Sequence, residues 1–122
     1  MGLNLETALG VHSAALKVRA ERTKLLASNL ANAATPGYQA RDLDFRASLD
    51  QALANNDFDA ALHFDGRQPK YRVPSRPAQD GNTVELGVEQ AAFSQNGADF
   101  QASLTFINMK LKGLKTAITG NV

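Results

Sequence analysis

The chain has 122 residues, a formal net charge of +1 and neither cysteine nor tryptophan. Its length fits a single domain with a modest core. Without a thiol, neither a disulfide scaffold nor a thiolate metal or redox site can form. A chain this close to neutral has no general attraction to nucleic acid or to an anionic membrane. We therefore expect no nucleic-acid partner, and a stability that comes from packing or from other proteins.

The distribution of apolar residues along the chain indicates whether it is secreted by a signal peptide or inserted in a membrane. Met1 to Gly10 lack both the basic leader and the apolar run that a secretory signal peptide requires. No stretch approaches the roughly 20 apolar residues that a membrane-spanning helix needs. We expect no direct membrane insertion, and handling by a route that does not use a cleavable signal peptide.

Charge is unevenly distributed along the chain, which has a basic first third, an acidic middle and a basic tail. The residues concerned are, in that order, Lys17, Arg19, Arg22 and Lys24; Asp42, Asp44, Asp50, Asp57, Asp59 and Asp65; and Lys110, Lys112 and Lys115. Two interpretations stay open. The terminal segments contact the middle of a neighbouring copy, or the charges form ordinary solvated faces, which is the commoner situation.

The N-terminal segment is predicted to form one long amphipathic helix from Asn4 to about Ala33. It is rich in helix formers and contains no proline and, as its one glycine, Gly10. Its leucines are spaced by threes, fours and their sums. They are Leu5, Leu9, Leu16, Leu26 and Leu30. The Thr35–Gly37 turn should end the helix, because proline disfavours helix at the preceding residue and glycine accepts a positive φ.

The middle of the chain is predicted to hold a short helix followed by a small insert. Phe45, Leu49 and Leu53 recur every four residues between about Asp44 and Ala54, and Asp44 can cap the first turn. From residue 55 to residue 81 the pattern changes to alternation of apolar and polar residues, with prolines toward its end. We expect a loosely ordered, β-like surface module there.

The C-terminal segment has the clearest pattern, an apolar heptad repeat from about Glu85 to Ile118. Its seam positions are Phe93, Phe100, Leu104, Ile107, Leu111, Leu114 and Ile118. Gln90 and Gly97 occupy two further seam positions, so the seam strengthens toward the C-terminus. Asn82, three residues before Glu85, is predicted to start the helix with a capping-box-like contact. Each terminal helix would be about 45 to 50 Å long, which implies that partners cover it.

Candidate catalytic and metal sites are few. His12 and His63 have no histidine or cysteine at ligand spacing, which favours structural roles. Asp42 and Asp44 resemble a general acid and base pair, but helix capping explains both more simply. The Asp80–Asn82 run lacks the acidic ladder of a calcium loop.

No serine lies in a Gly-x-Ser-x-Gly context, and no phosphate-binding glycine loop is present. The sequence therefore predicts no enzyme, no metal and no cofactor.

The segment from Ala27 to Tyr38 is the least easily explained by core packing. Ser28, Asn29 and Asn32 place a hydroxyl and two amides at helical neighbour spacing near a helix end. Side-chain amides both donate and accept, so they can satisfy exposed backbone at the helix end or bond to an adjacent subunit. The residues alone leave these alternatives open.

This segment resembles the N-terminal signature of flagellar rod and hook proteins, in which Ser-Asn-Leu-Ala-Asn leads into Thr-Pro-Gly-Tyr. The resemblance extends along nearly the whole chain, and further segments are similar to proximal-rod members of that family. These are residues 71–75, 80–84, 101–106 and 110–114. The resemblance implies a structural axial protein at the base of the rod, carried out by the flagellar type III export apparatus and needed for motility.

The resemblance also implies the partners. They are further copies of the chain and other rod proteins, of the FlgC, FlgF and FliE types. The terminal helices of relatives pack together as an inner coiled-coil tube, and the terminal regions would become ordered on assembly. The candidate assembly interface is Leu9, Leu16, Leu26, Ser28, Asn29, Leu30, Asn32, Phe100, Leu104, Ile107, Leu111 and Leu114.

The predicted fold class is mainly α, with long N- and C-terminal helices that pair as a coiled coil around a short helix and a small irregular or β-like insert. The predicted segments of this one unit are residues 1–37, 38–81 and 82–122. The alternative function is a helical adaptor or chaperone-like module that binds a partner helix. A small hydrolase using Asp42 or Asp44 is a more remote alternative.

Overall fold

The computed structural model describes residues 4–54 and 69–120. In chain order the elements are α1 (Leu5–Ala31), β1 (Arg41–Asp42), α2 (Phe45–Ala54), β2 (Lys70–Tyr71) and α3 (Leu86–Thr119). The predicted class is confirmed: the fold is mainly helical, its two long helices pack together, and a short helix and a small sheet lie between them in sequence.

Helix α1 is the central element, since α2, α3 and β1 all pack against it. Its buried apolar residues are small or slender, including Ala14, Val18 and Leu26, so neighbouring helices approach closely. The helix ends at Ala31, before the predicted Thr35–Gly37 turn. Gly37 has a φ of 73°, a value that glycine adopts without strain.

Helix α2 forms where the sequence predicts it. The backbone N–H of Ala47 donates to Asp44 Oδ1 at 3.2 Å, which confirms Asp44 as the capping residue. Leu49 and Ala52 pack α2 against Ala14 of α1. This contact forms a small apolar cluster on the side of α1 occupied by α2.

The sheet is a two-stranded antiparallel ribbon that pairs Arg41 with Tyr71 and Asp42 with Lys70. It brings the chain after α1 next to the chain before α3. Residues 55–68 of the predicted β-like insert lie outside the described residues. In the described remainder of the insert, β2 is the regular element.

Helix α3 has 34 residues and is therefore about 51 Å long. It ends at Gly120, whose φ is 65° and whose N–H donates to Thr116 O at 2.9 Å. Two polar side chains, Glu89 and Asn96, are its buried residues among those described. None of its side chains from 101 to 119 is buried. We call residues 86–99 the junction half of α3 and residues 101–119 its open half.

Candidate assembly interface

The amide of Asn29 joins the end of α1 to strand β1. Its Nδ2 donates to Arg41 O at 2.7 Å, and its Oδ1 accepts the Arg41 N–H at 3.1 Å. Oδ1 also accepts the Tyr38 hydroxyl at 3.2 Å. Asn29 is fully buried. The side-chain amide thus bonds to both backbone groups of Arg41, as the peptide group of an adjacent strand would.

Glu89 connects α3 to the same junction. Its carboxylate is fully buried, and its Oε2 accepts a hydrogen bond from Asn29 Nδ2 at 2.9 Å. Its Oε1 lies 2.9 Å from Arg72 Nε, and because the N–H does not point at the oxygen the two form an ion pair without a hydrogen bond. A carboxylate without water is stable only when it is paired in this way.

Asp42 extends the network to α1. It accepts two hydrogen bonds from Arg22, from Nε at 2.8 Å and from Nη2 at 2.9 Å, and one from Arg72 Nη2 at 2.6 Å. Its Oδ1 also accepts the backbone N–H of Leu43 at 2.7 Å, but Leu43 lies before α2, so the prediction that Asp42 serves as a helix cap is wrong. Arg22, Asp42, Arg72 and Glu89 form a chain of alternating charge that links α1, the sheet and α3. We call these four residues and Asn29 the polar junction.

The pKa values of the junction reflect this pairing. Burial alone would raise the pKa of Asp42, but the hydrogen bond from Arg22 and the charges of Arg22 and Arg72 outweigh it, so the pKa lies below its usual value. The pKa of Arg22 is raised, chiefly by its hydrogen bond to Asp42. Both groups are therefore charged at neutral pH.

Asn82 acts at the end of α1 and not at the start of α3. Its Nδ2 lies within hydrogen-bond distance of the backbone oxygens of Asn32, Ala33 and Thr35, at 3.0, 3.0 and 2.8 Å. The residue that precedes α3, Glu85, makes no side-chain capping bond. The predicted capping-box-like start is therefore wrong. Asn82 satisfies carbonyl groups that the end of α1 leaves without helical partners.

The remaining polar residues of the signature also bond within the chain. Asn32 Nδ2 donates to Ser28 O at 2.8 Å, and its Oδ1 accepts the Thr35 hydroxyl at 3.1 Å. The hydroxyls of Ser28 and Tyr38 lie 3.0 Å apart. Of the two alternatives that the sequence left open, satisfaction of local backbone and side-chain groups is the one these contacts show. Contact with an adjacent subunit stays a prediction.

The seam between α1 and the junction half of α3 is polar too. Asn96 is buried, and its Nδ2 donates to Arg19 O at 3.0 Å and to Thr23 Oγ1 at 2.8 Å. Arg19 Nη1 donates to Asp99 Oδ2 at 3.0 Å, and its guanidinium lies 3.9 Å from the ring centre of Phe45. One arginine of α1 therefore contacts both α2 and α3. Some of the basic residues of the first third of the chain therefore pair with acidic residues of the same chain.

The predicted apolar seam residues differ in how far they are buried. Leu26 is fully buried. The half-buried residues are Leu9, Leu16, Leu30, Phe100, Ile107 and Leu114. Leu104, Leu111 and Ile118 are exposed by 36%, 42% and 72%. The packing of α3 on α1 thus covers part of the predicted apolar seam and leaves Leu104, Leu111 and Ile118 open.

Comparison with known proteins decides the family. A family model described as flagella basal body rod protein matches residues 9–39, which hold Asn29 and the turn after α1. The flagellar basal body rod protein FlgB of Cereibacter sphaeroides is 48% identical over 120 residues, covering 92% of this chain and 94% of the relative. The chain belongs to the FlgB family of flagellar basal body rod proteins. FlgB of Aeromonas hydrophila is 38% identical over 130 residues, with 98% of each chain covered, and FlgB of Salmonella typhimurium is 35% identical over 132, with 95% and 96% covered.

As a member of the FlgB family, the chain is a structural component of the flagellar basal body rod and not an enzyme. The predicted function is confirmed, and the adaptor alternative is not favoured. Among the described residues, no cluster of three or more acidic or histidine side chains is arranged to hold a metal ion. Within the same residues, no helix has the length and apolarity that crossing a membrane requires.

The polar junction was largely missed by sequence reasoning. Asn29 was singled out, but its partner Glu89 and the paired Arg72 were not. Glu89 and Asn96 lie seven residues apart, which is a heptad spacing. This polar series next to the apolar one was the available sequence indication of a second seam.

Proposed function

We propose that the chain is a proximal-rod subunit that assembles through its terminal helices, with the open apolar series of α3 as the main contact surface. The observation that supports this is the exposure of Leu104, Leu111 and Ile118 on one side of a helix that is otherwise well formed. Burying a side chain of this type contributes about 1.5 to 3 kcal/mol. A rod of repeated subunits supplies the surfaces that would bury them.

The length of the open half supports the same proposal. A helical segment with no buried residue draws its stability mainly from local propensity, which is marginal in water. Phe106 and Met109 are also exposed, by 52% and 60%, on a different side of α3 from Leu104 and Leu111. A helix that is apolar on several sides is typical of a buried position. The open half is therefore suited to contact more than one neighbour.

Helix α1 contributes a smaller surface. Leu5 and Val11 are exposed by 53% and 50%, while Leu9 and Leu16 are half-buried. We propose that this part of α1 lies beside the open half in the assembled rod. Asn29 is fully buried, so we propose that it affects assembly by shaping the junction and not by touching a neighbour. Ser28 and Asn32, both half-buried, stay candidates for direct contact.

The proposed partners are further copies of the chain and rod proteins of the FlgC, FlgF and FliE types. The similarity of nearly the whole chain to FlgB proteins supports this, since those relatives are named as basal body rod proteins. We further propose export through the flagellar type III apparatus without a cleavable signal peptide, and a position in the part of the rod that crosses the periplasm. Ordering of the open half on assembly would suit passage through a narrow channel.

Incorporation into basal bodies tests the proposal. Leu111→Asp places an unpaired charge on the open series and should reduce incorporation of the subunit to background at matched expression. Lys112→Ala is the matched control, because an exposed charge on the same helix usually contributes less than about 1 kcal/mol. Purified basal bodies can be probed for each variant in a deletion strain. Normal incorporation of Leu111→Asp would show that the open series faces solvent in the rod, and the proposed contact surface would be wrong.

A further inference from the structure

Helix α3 carries two overlapping heptad seams. Both contain the series Phe93, Phe100, Ile107 and Leu114. The first seam adds a polar series to these residues. The second seam adds instead an apolar series, which lies one residue later in the chain. The polar series is Glu89, Asn96, Ser103 and Lys110. The other, which we call the apolar series because it is apolar from Leu104 onward, is Gln90, Gly97, Leu104, Leu111 and Ile118. Either combination has the alternating spacing of three and four residues that lets a helix pack along a partner.

The structure packs the polar seam against α1. Glu89 and Asn96 are buried, Ser103 is half-buried, and Lys110 Nζ donates to Ala8 O at 3.3 Å. Leu104, Leu111 and Ile118 of the apolar series lie beside this contact and stay exposed by 36%, 42% and 72%. Successive residues are about 100° apart around a helix, so exchanging one series for the other moves the midline of the seam by about 50°.

Apolar burial alone would favour the opposite choice. A rotation of α3 toward Leu104 and Leu111 would cover the 36% and 42% of these side chains that are now exposed, in place of Ser103 and Lys110. Some specific interaction must therefore hold α3 in the observed rotational register. The open half offers one stacked ring pair, His12 with Phe106 at 5.9 Å between ring centres, and the Lys110 contact.

The interactions that distinguish the two registers lie in the junction half. Glu89 contacts Asn29 and Arg72, and Asn96 contacts Arg19 O and Thr23. These partners lie on α1, except for Arg72, which directly follows β2. A rotation of about 50° would carry both side chains away from these partners. It would break the pair between Arg72 and Glu89 and leave Arg72 paired with Asp42 alone among these carboxylates. Buried polar residues at seam positions fix the register of paired helices in this way, at a cost in apolar burial.

We infer that Glu89 and Asn96 set the rotational register of α3 on α1 and thereby keep the series Leu104, Leu111 and Ile118 open for a neighbouring rod subunit. The inference rests on the proposed function for the role of the open series. The register itself is a property of the single chain, so it can be measured without assembly. The two residues are positioning residues for assembly, acting through the orientation of α3.

Cysteine labelling of the monomer tests the register. The chain has no cysteine, so one thiol introduced at a time reports one position. Leu111→Cys reports the open series and Ser103→Cys the covered series, and the ratio of their alkylation rates at fixed pH measures the register. In the background Glu89→Ala with Asn96→Ala, the rate at position 111 should fall and the rate at position 103 should rise. We expect the ratio to change by about tenfold, which corresponds to 1.4 kcal/mol.

The matched control is Ser94→Ala with Gln101→Ala, since both side chains are exposed on the same helix and should leave the ratio unchanged. The milder Asn96→Ala variant keeps the Glu89 contacts and should move the ratio in the same direction by a smaller factor. If circular dichroism shows that the double variant has lost its helix content, the labelling ratio of the Asn96→Ala variant alone tests the inference. An unchanged ratio in a folded variant, or equal increases at both positions, would overturn the inference.

Incorporation of the same variants, without the reporter thiols, separates the inference from the proposed function. A changed labelling ratio with loss of incorporation supports both. A changed ratio with normal incorporation supports the register inference and overturns the proposed role of the open series. An unchanged ratio with loss of incorporation overturns the register inference and leaves the proposed function standing.

Discussion

The two halves of α3 differ in what holds them to the rest of the chain. The junction half is attached by directed polar contacts, with Glu89 and Asn96 fully enclosed. The open half has no buried side chain and carries the three most exposed large apolar residues of the helix, Phe106, Met109 and Ile118. Directed contacts specify one arrangement, whereas apolar contacts accept any well-fitting surface. The difference teaches that this subunit fixes its geometry at one end of α3 and leaves apolar surface exposed at the other, where we propose that a neighbour binds.

The largest expected effect is a difference in hydrogen exchange along α3 in the free monomer. Local opening of the open half exposes little apolar surface, so its amides should exchange at least about a hundredfold faster than those of the junction half. Mass spectrometry of exchange, with cleavage near Phe100, measures the two halves separately. Uniform protection across Phe100 would remove the basis of the comparison.

Arg72→Leu should be the most destabilising change in the junction. It leaves the buried Glu89 carboxylate without its cation, and breaking a buried pair typically costs about 3 to 5 kcal/mol. Urea unfolding measures the loss. Arg76→Leu is the matched control, because this exposed arginine should change stability by no more than about 0.5 kcal/mol. Similar effects of the two changes would show that the junction adds no stability.

Many contacts of the polar junction could not be predicted from the sequence, for a physical reason. Helix bounds and the Asp44 cap depend on residues close in the chain, so periodicity and capping rules found them. The partners of Asn82 lie 47 to 50 residues away, and Arg72 meets Asp42 across 30 residues. Pairings at such separations depend on tertiary structure. The choice between the two seams of α3 was equally hidden, because the Phe100 and Ile107 series fits both.

Asn82→Ala should have an intermediate effect. The change leaves carbonyl groups at the end of α1 without their donor, which costs about 1 to 3 kcal/mol where water cannot replace it. Thermal unfolding measures the loss, and Asn108→Ala, an exposed change within α3, serves as the control. An Asn82→Ala variant as stable as the control would mean that water caps α1 equally well.

The smallest effect concerns acid. Because the pKa of Asp42 is lowered in the folded chain, the folded state holds fewer protons than the unfolded state in the window below its ordinary pKa of 3.8. The stability that Asp42 contributes is therefore present above that pKa and is lost as the pH falls through the folded value. Asp42→Asn should flatten the decline of stability at acid pH, as measured by urea unfolding across the acid range. An equally steep decline in the variant would assign the acid sensitivity to other carboxylates.

The bonds from Asn29 to Arg41 have one more consequence. A two-stranded ribbon has two unpaired edges, and each is a template on which another chain can add a strand. The Asn29 amide occupies the β1 edge at Arg41, and the β2 edge is two residues long and carries the exposed, charged Lys70. Neither edge is therefore a good template for the addition of a further strand. If the subunit assembles through its helices, as we propose, it thereby avoids the edge-to-edge aggregation that would compete with ordered growth of the rod.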